Sequence, residues 1–100
     1  MTVVTINEFQ SASIQQGGVV PIAAGAQTDQ TAITSSGTAQ QSAVFGINTK
    51  VVVVSAYGGS VRLAFGSNPT ATANSLLLSD GQSREYAPIG GVDKVSIINA

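Results

Sequence analysis

The chain has 100 residues, no histidine or cysteine, nine per cent charged side chains and a formal net charge of −1. That composition leaves no zinc-type ligand set, no disulfide framework and no histidine-based nucleophile, and the absence of any basic run argues against nucleic acid as a partner. A mean hydropathy of +0.28 with a longest apolar run of Val51 to Val54 falls far short of the ~20 residues that cross a bilayer. What remains is a population of Ala, Ser, Thr, Gly and Val suited to small β-structure and to neutral contact surfaces, which desolvate at low cost.

The first residues, Met1-Thr2-Val3-Val4-Thr5-Ile6, carry no basic segment ahead of a long apolar stretch and do not read as a signal peptide. Residues 1–16 form a candidate extended N-terminal arm. On it Ile6, Phe9 and Ile14 are either apolar anchors for a neighbouring subunit or part of the domain's own core. Gly17-Gly18 marks a turn, and residues 19–23 form a short strand that Pro21 consigns to a sheet edge, because proline offers the ladder no N–H.

Residues 28–34 predict a polar strand with Ala32 and Ile33 as its apolar part, and residues 39–47 a strand with Ala43, Phe45 and Ile47 on one face. Residues 50–57 contain four consecutive valines. A strand apolar on both faces is either central in a sandwich or covered on its outer side by another copy, which makes Val52 and Val54 candidate interface residues. Gly58-Gly59 then predicts a tight hairpin into residues 60–65, where Val61, Leu63 and Phe65 alternate with Ser60, Arg62 and Ala64. Arg62, on the polar face, is the best candidate for an intersubunit ion pair or else an ordinary solvated strand residue.

Residues 68–78 are the least strand-like stretch and predict a helical turn or an excursion between sheets. A turn at Asp80-Gly81 follows, and residues 84–87 and 92–98 predict a second hairpin across Gly90-Gly91. The sum is an all-β single domain over residues 1–100, an antiparallel β-sandwich or jelly roll of about seven to nine short strands. A thin core with only five aromatic residues predicts gain of stability by homo-oligomerisation.

No residue set marks a catalytic, cofactor or metal site. Asp80 and Glu85 flank a turn and read better as turn and strand residues than as an acid/base pair. Asp80 and Asp93 are too isolated in sequence for a calcium loop. Tyr57 and Tyr86 are the residues on which a sugar would stack, or else rim residues of the core.

The stretch Ser60-Val61-Arg62-Leu63-Ala64-Phe65-Gly66-Ser67-Asn68-Pro69-Thr70-Ala71-Thr72 resembles a pattern in small structural proteins of tailed bacteriophages: a strand, a Gly-x-x-Pro turn and a Thr/Ala-rich loop. Leu76-Leu77-Leu78, Gly81, Glu85-Tyr86 and the final Gly91-Val92-Asp93-Lys94-Val95-Ser96-Ile97-Ile98 continue it in order. The first 45 residues carry no such signature. The resemblance implies a non-enzymatic virion protein, a head-decoration or cement protein. Such a protein is made in the host cytoplasm, is trimeric, and is bound to the major capsid protein on the capsid surface. The alternative it leaves open is a tail- or fibre-associated β-module that binds a carbohydrate receptor.

Overall fold

A computed structural model describes the backbone of residues 2–14 and 21–100 and the side chains of residues 2–10 and 27–100. The strands are β1 (Val3–Ile14), β2 (Pro21–Asp29), β3 (Ile33–Thr34), β4 (Gln40–Gln41), β5 (Val51–Tyr57), β6 (Val61–Gly66), β7 (Leu76–Leu78), β8 (Ser83–Tyr86) and β9 (Lys94–Asn99). They form two antiparallel sheets, β2-β1-β5-β8 with β3 on β1, and β4-β9-β6-β7. The fold is an all-β sandwich, and no helix occurs among the described residues.

The winding is informative. From β3 to β9 each successive strand changes sheet except at the β6–β7 step, so that β3-β1-β5-β8 faces β4-β9-β6-β7. This is the strand order of a jelly roll, with the place of its last strand taken by β1 from the other end of the chain and β2 added outside it.

Period-two burial builds the core. Val4 and Ile6 on β1 lie opposite Ala56 and Val54 on β5, and Val61 and Leu63 on β6 lie beside Leu78 on β7 and Ile97 on β9. These side chains, with Val52, Val95 and Phe45, form one fully buried cluster between the sheets, against which Ile33, Phe65 and Tyr86 pack. Phe65 and Tyr86 stack across the two sheets with ring centroids 3.9 Å apart.

Three expectations need correction. Gly58-Gly59 does not close a hairpin: β5 pairs with β1 and β8, while β6 pairs with β9 and β7. The chain crosses from one sheet to the other there, with Gly58 at φ 90°, and Gly59 passes so close to the Thr2 side chain that it has no room for a Cβ. The same holds at Gly90-Gly91, where β8 and β9 belong to opposite sheets. Apolar alternation on both flanking strands suits a crossing as well as a hairpin, because the two inner faces meet across the core.

Second, within the expected extended N-terminal arm of residues 1–16, the described residues 3–14 belong to the sheet. Val3 to Phe9 pair with β5, Asn7 to Ile14 with β2, and Val3 and Val4 with β3. Third, residues 39–47 contain only the two-residue β4. Phe45 enters the core, whereas Ala43 and Ile47 are exposed. The edge position of β2, with Pro21 at its start, agrees with the sequence. The Gly17-Gly18 turn and the start of the 19–23 strand lie outside the described residues.

A β-bulge between Phe9 and Ser11 interrupts the β1–β2 register. β2 comes within 8 Å of β5 and β8 between Cα atoms, although β1, and for β8 also β5, intervenes in the sheet order. The ribbon therefore curls across the end of the sheet, as bulges make strands do. Val51, outside the core cluster, is nonetheless fully buried.

Candidate interaction surface

The sequence-derived interface residues do not come together. Ile6, Val52 and Val54 are at most 1% exposed and belong to the core. They are apolar because the sandwich needs them, and they offer nothing to a partner. β5 is central, between β1 and β8, which explains the four valines without a neighbouring subunit. Phe9 lies half-buried on the outer face beside Val51. The Ile14 backbone pairs with Pro21, and its side chain is outside the described residues. The Arg62 guanidinium donates to the Ser75 carbonyl at 3.1 Å, holding the 67–75 excursion against β6.

That excursion covers the outer face of the second sheet. Ala71 is buried there, its N–H donating to Ser96 Oγ at 2.9 Å, and the Gln41 amide donates to the Pro69 carbonyl at 2.8 Å. No helical turn forms. Tyr57 is 67% exposed at the end of β5, and Tyr86 is spent on Phe65, so the two do not make one stacking platform.

The surface that does assemble is apolar and lies where two loops abut. Residues 44–47 and 89–92 carry Val44, Ile47, Ile89 and Val92, exposed by 44, 78, 66 and 46%. The loops touch at Gly90, where a Cβ would fall 2.6 Å from the Ile47 carbonyl oxygen and 2.7 Å from that of Gly46. The Gly91 N–H, at φ 77°, donates to the Phe45 carbonyl at 2.8 Å.

Each loop is fixed at its base by a buried carboxylate. Glu8, on the inward face of β1, accepts from the Gly46 N–H and the Thr49 hydroxyl at 2.7 Å each through Oε1, and from the Gln30 amide at 2.9 Å through Oε2. Asp93 Oδ2 accepts from the Ile89 N–H at 2.9 Å and from the Tyr86 hydroxyl at 3.4 Å. Desolvation first, then the Asp93 charge and its hydrogen bond, push the Tyr86 phenol above its ordinary value. Every buried side-chain nitrogen and oxygen among the described residues has a hydrogen-bond partner.

Two shallow hollows flank this surface. One, of about 450 Å³, lies between residues 29–33 and 41–43; the other, of about 360 Å³, lies between Gln10 and Thr28 on one side and residues 44–49 on the other. Between them Gln30 pairs with Ala43 in both directions, its amide donating to the Ala43 carbonyl and its carbonyl accepting from the Ala43 N–H, each at 3.2 Å. Neither hollow is lined by an aromatic residue. Asp29, at the rim of the first, accepts amides from Gln27 at 2.7 Å and Asn7 at 2.6 Å, which hold its carboxyl below the usual carboxylate value.

No protein-family model matches this chain, no curated protein matches it in sequence, and no solved structure matches it in fold.

The sequence pattern puts Ile47 on a strand face with Ala43 and Phe45 and Val92 at the start of the last strand, and it gives Ile89 no role. A signal was present: Ile47 is followed by Asn48 and Ile89 by Gly90-Gly91, so both sit at turns, where an apolar side chain is not required by any sheet.

Proposed function

We propose that this chain is a non-enzymatic structural protein of a tailed-bacteriophage virion, a head-decoration protein that binds the major capsid protein in the assembled lattice and stabilises it. The observation that carries the reading is the apolar loop surface of Ile47, Ile89 and Val92, held on two turns whose bases are tied by Glu8 and Asp93. Exposing large apolar side chains is unfavourable for an isolated domain, and fixing them on anchored turns removes the ordering cost that binding would otherwise meet. Val92 belongs to the final segment that resembles phage structural proteins, and Ile89 lies just ahead of it. Jelly-roll winding is common among viral capsid domains but equally found in lectins and cupins, so it supports the reading only by analogy.

The mechanism is mass action: a protein that binds the assembled lattice and not its dissociated subunits stabilises the lattice by the free energy of binding. The test is heat release of DNA from heads with and without the protein. Stripped heads are expected to release DNA at a lower temperature, the added protein to restore the original temperature, and Ile89→Asp protein to fail to do so. Equal heat resistance of stripped and intact heads would exclude the cementing role, and a glycan-array signal abolished by Tyr57→Ala would point to a receptor-binding module instead.

A further inference from the structure

The Ile47 protrusion and the hollow between residues 29–33 and 41–43, lined by Ala32, Ile33 and Ala43 together with the polar Thr31, Gln41 and Ser42, are parts of one rigid surface. Glu8 binds both: Oε2 holds Gln30, whose amide group pairs with Ala43 at the edge of the hollow, and Oε1 holds Gly46 and Thr49, which flank Ile47. The chain carries no charge from residue 30 to residue 49, so docking over this stretch leaves no charge within it to be desolvated. The two charges that bound the stretch are opposite and exposed, Asp29 at the rim of the hollow and Lys50 three residues beyond Ile47.

A protrusion and a neighbouring hollow on one surface are self-complementary under a two-fold rotation, in which residue i of one copy meets residue j of the other and the reverse. We propose that two copies of this chain dock face to face here, the Ile47 side chain of each entering the Ala32/Ile33/Ala43 hollow of the other, with Lys50 of each copy facing Asp29 of its partner. The inference rests on reading the Ile47 face as a contact surface, and it assigns that face to a second copy, leaving Ile89 and Val92 for the lattice. It replaces the three-fold association implied by the phage resemblance with a two-fold one.

Sedimentation equilibrium of the purified chain over a wide concentration range tests it. The expected result is a monomer–dimer equilibrium. Ile47→Asp should weaken dimerisation by well over about tenfold, as loss of a central apolar anchor does, with circular dichroism unchanged and the unfolding midpoint equal to the parent's at concentrations where both are monomeric. Asp29→Lys and Lys50→Asp should each weaken the dimer, and the double exchange should restore it, a recovery that a purely structural role for either residue would not give. A monomer at all concentrations, a trimer, or a dimer indifferent to Ile47→Asp would overturn the proposal. A monomer that still protects heads would sink the two-fold contact alone, whereas a dimer of the expected kind that gives no protection would sink the decoration role alone.

Discussion

Glu8 and Thr49, 41 residues apart in the chain, are joined by a buried hydrogen bond of 2.7 Å. The same carboxylate oxygen holds the Gly46 N–H, so one side chain on β1 closes the loop that presents Ile47. Removing it leaves the buried Thr49 hydroxyl and the part-buried Gly46 N–H without their acceptor, at about 1–3 kcal/mol for a buried group. Glu8→Ala is therefore expected to lower stability by about 2–4 kcal/mol in urea unfolding, and Thr49→Val, which deletes a donor and keeps the shape, by only about 1 kcal/mol. Equal losses for the two variants would contradict this division of roles.

Gly90 and Gly37 make a matched pair. A Cβ at Gly90 would meet two backbone carbonyl oxygens that cannot swing away, while a Cβ at Gly37 meets nothing within 4 Å. Gly90→Ala is expected to cost about 1–3 kcal/mol, the usual penalty of overpacking, and to separate the two apolar loops. Gly37→Ala should stay within about 0.5 kcal/mol of the parent. Thermal unfolding of both variants side by side provides the check.

Core and contact roles separate by mutation. Ile6→Ala and Leu63→Ala remove fully buried side chains and are expected to destabilise by about 2–5 kcal/mol without changing association once folded. Arg62→Ala loses one bond to the Ser75 carbonyl, worth about 1 kcal/mol, and should leave the oligomeric state unaltered. A change of association on Arg62→Ala would restore the intersubunit ion pair expected from its place on a strand.

Alkaline pH should report on Tyr86. Its phenol is raised above the ordinary value of 10.0 in the folded state, so the native protein keeps the proton after the unfolded chain has begun to lose it. The contribution to stability is complete below pH ~10 and is lost as pH rises through the higher folded value. Unfolding midpoints measured upward from pH 9 should fall in the parent and fall less steeply in Tyr86→Phe.

The two ends of the described chain lie together. Thr2 packs on Gly59, and the Ala100 N–H donates to the adjacent Ser60 carbonyl at 3.2 Å. Joining residue 100 to residue 1 by a short Gly/Ser linker and opening the chain between Gln30 and Thr31 would bring β1 into its jelly-roll place after β9. This permuted chain is expected to fold and unfold cooperatively, as chains with adjoining ends commonly do. A permuted chain lacking a cooperative transition would show that β1 must precede β5 for folding.

The class of the fold and most of its strands are legible in the order of residues alone. Low charge, β-branched residues and glycine punctuation fix an antiparallel sandwich, and the alternation of Val61, Leu63 and Phe65 fixes which face of β6 is buried, because these are properties of neighbouring residues. Which strands pair is a matter of long-range packing. Gly58-Gly59 supplies the same backbone freedom for a hairpin as for a crossing, and the choice falls to β1, whose seven-residue register with β5 takes the edge that β6 would have used. The same strand converts Ile6 from a candidate anchor into core and brings Glu8 beneath a loop some 40 residues away in sequence. The exposed apolar surface follows from that contact. No local pattern in residues 44–47 says that Phe45 turns inward and Ile47 outward, because the sign is set by Glu8, Asp93 and Gly90 arriving from elsewhere in the chain.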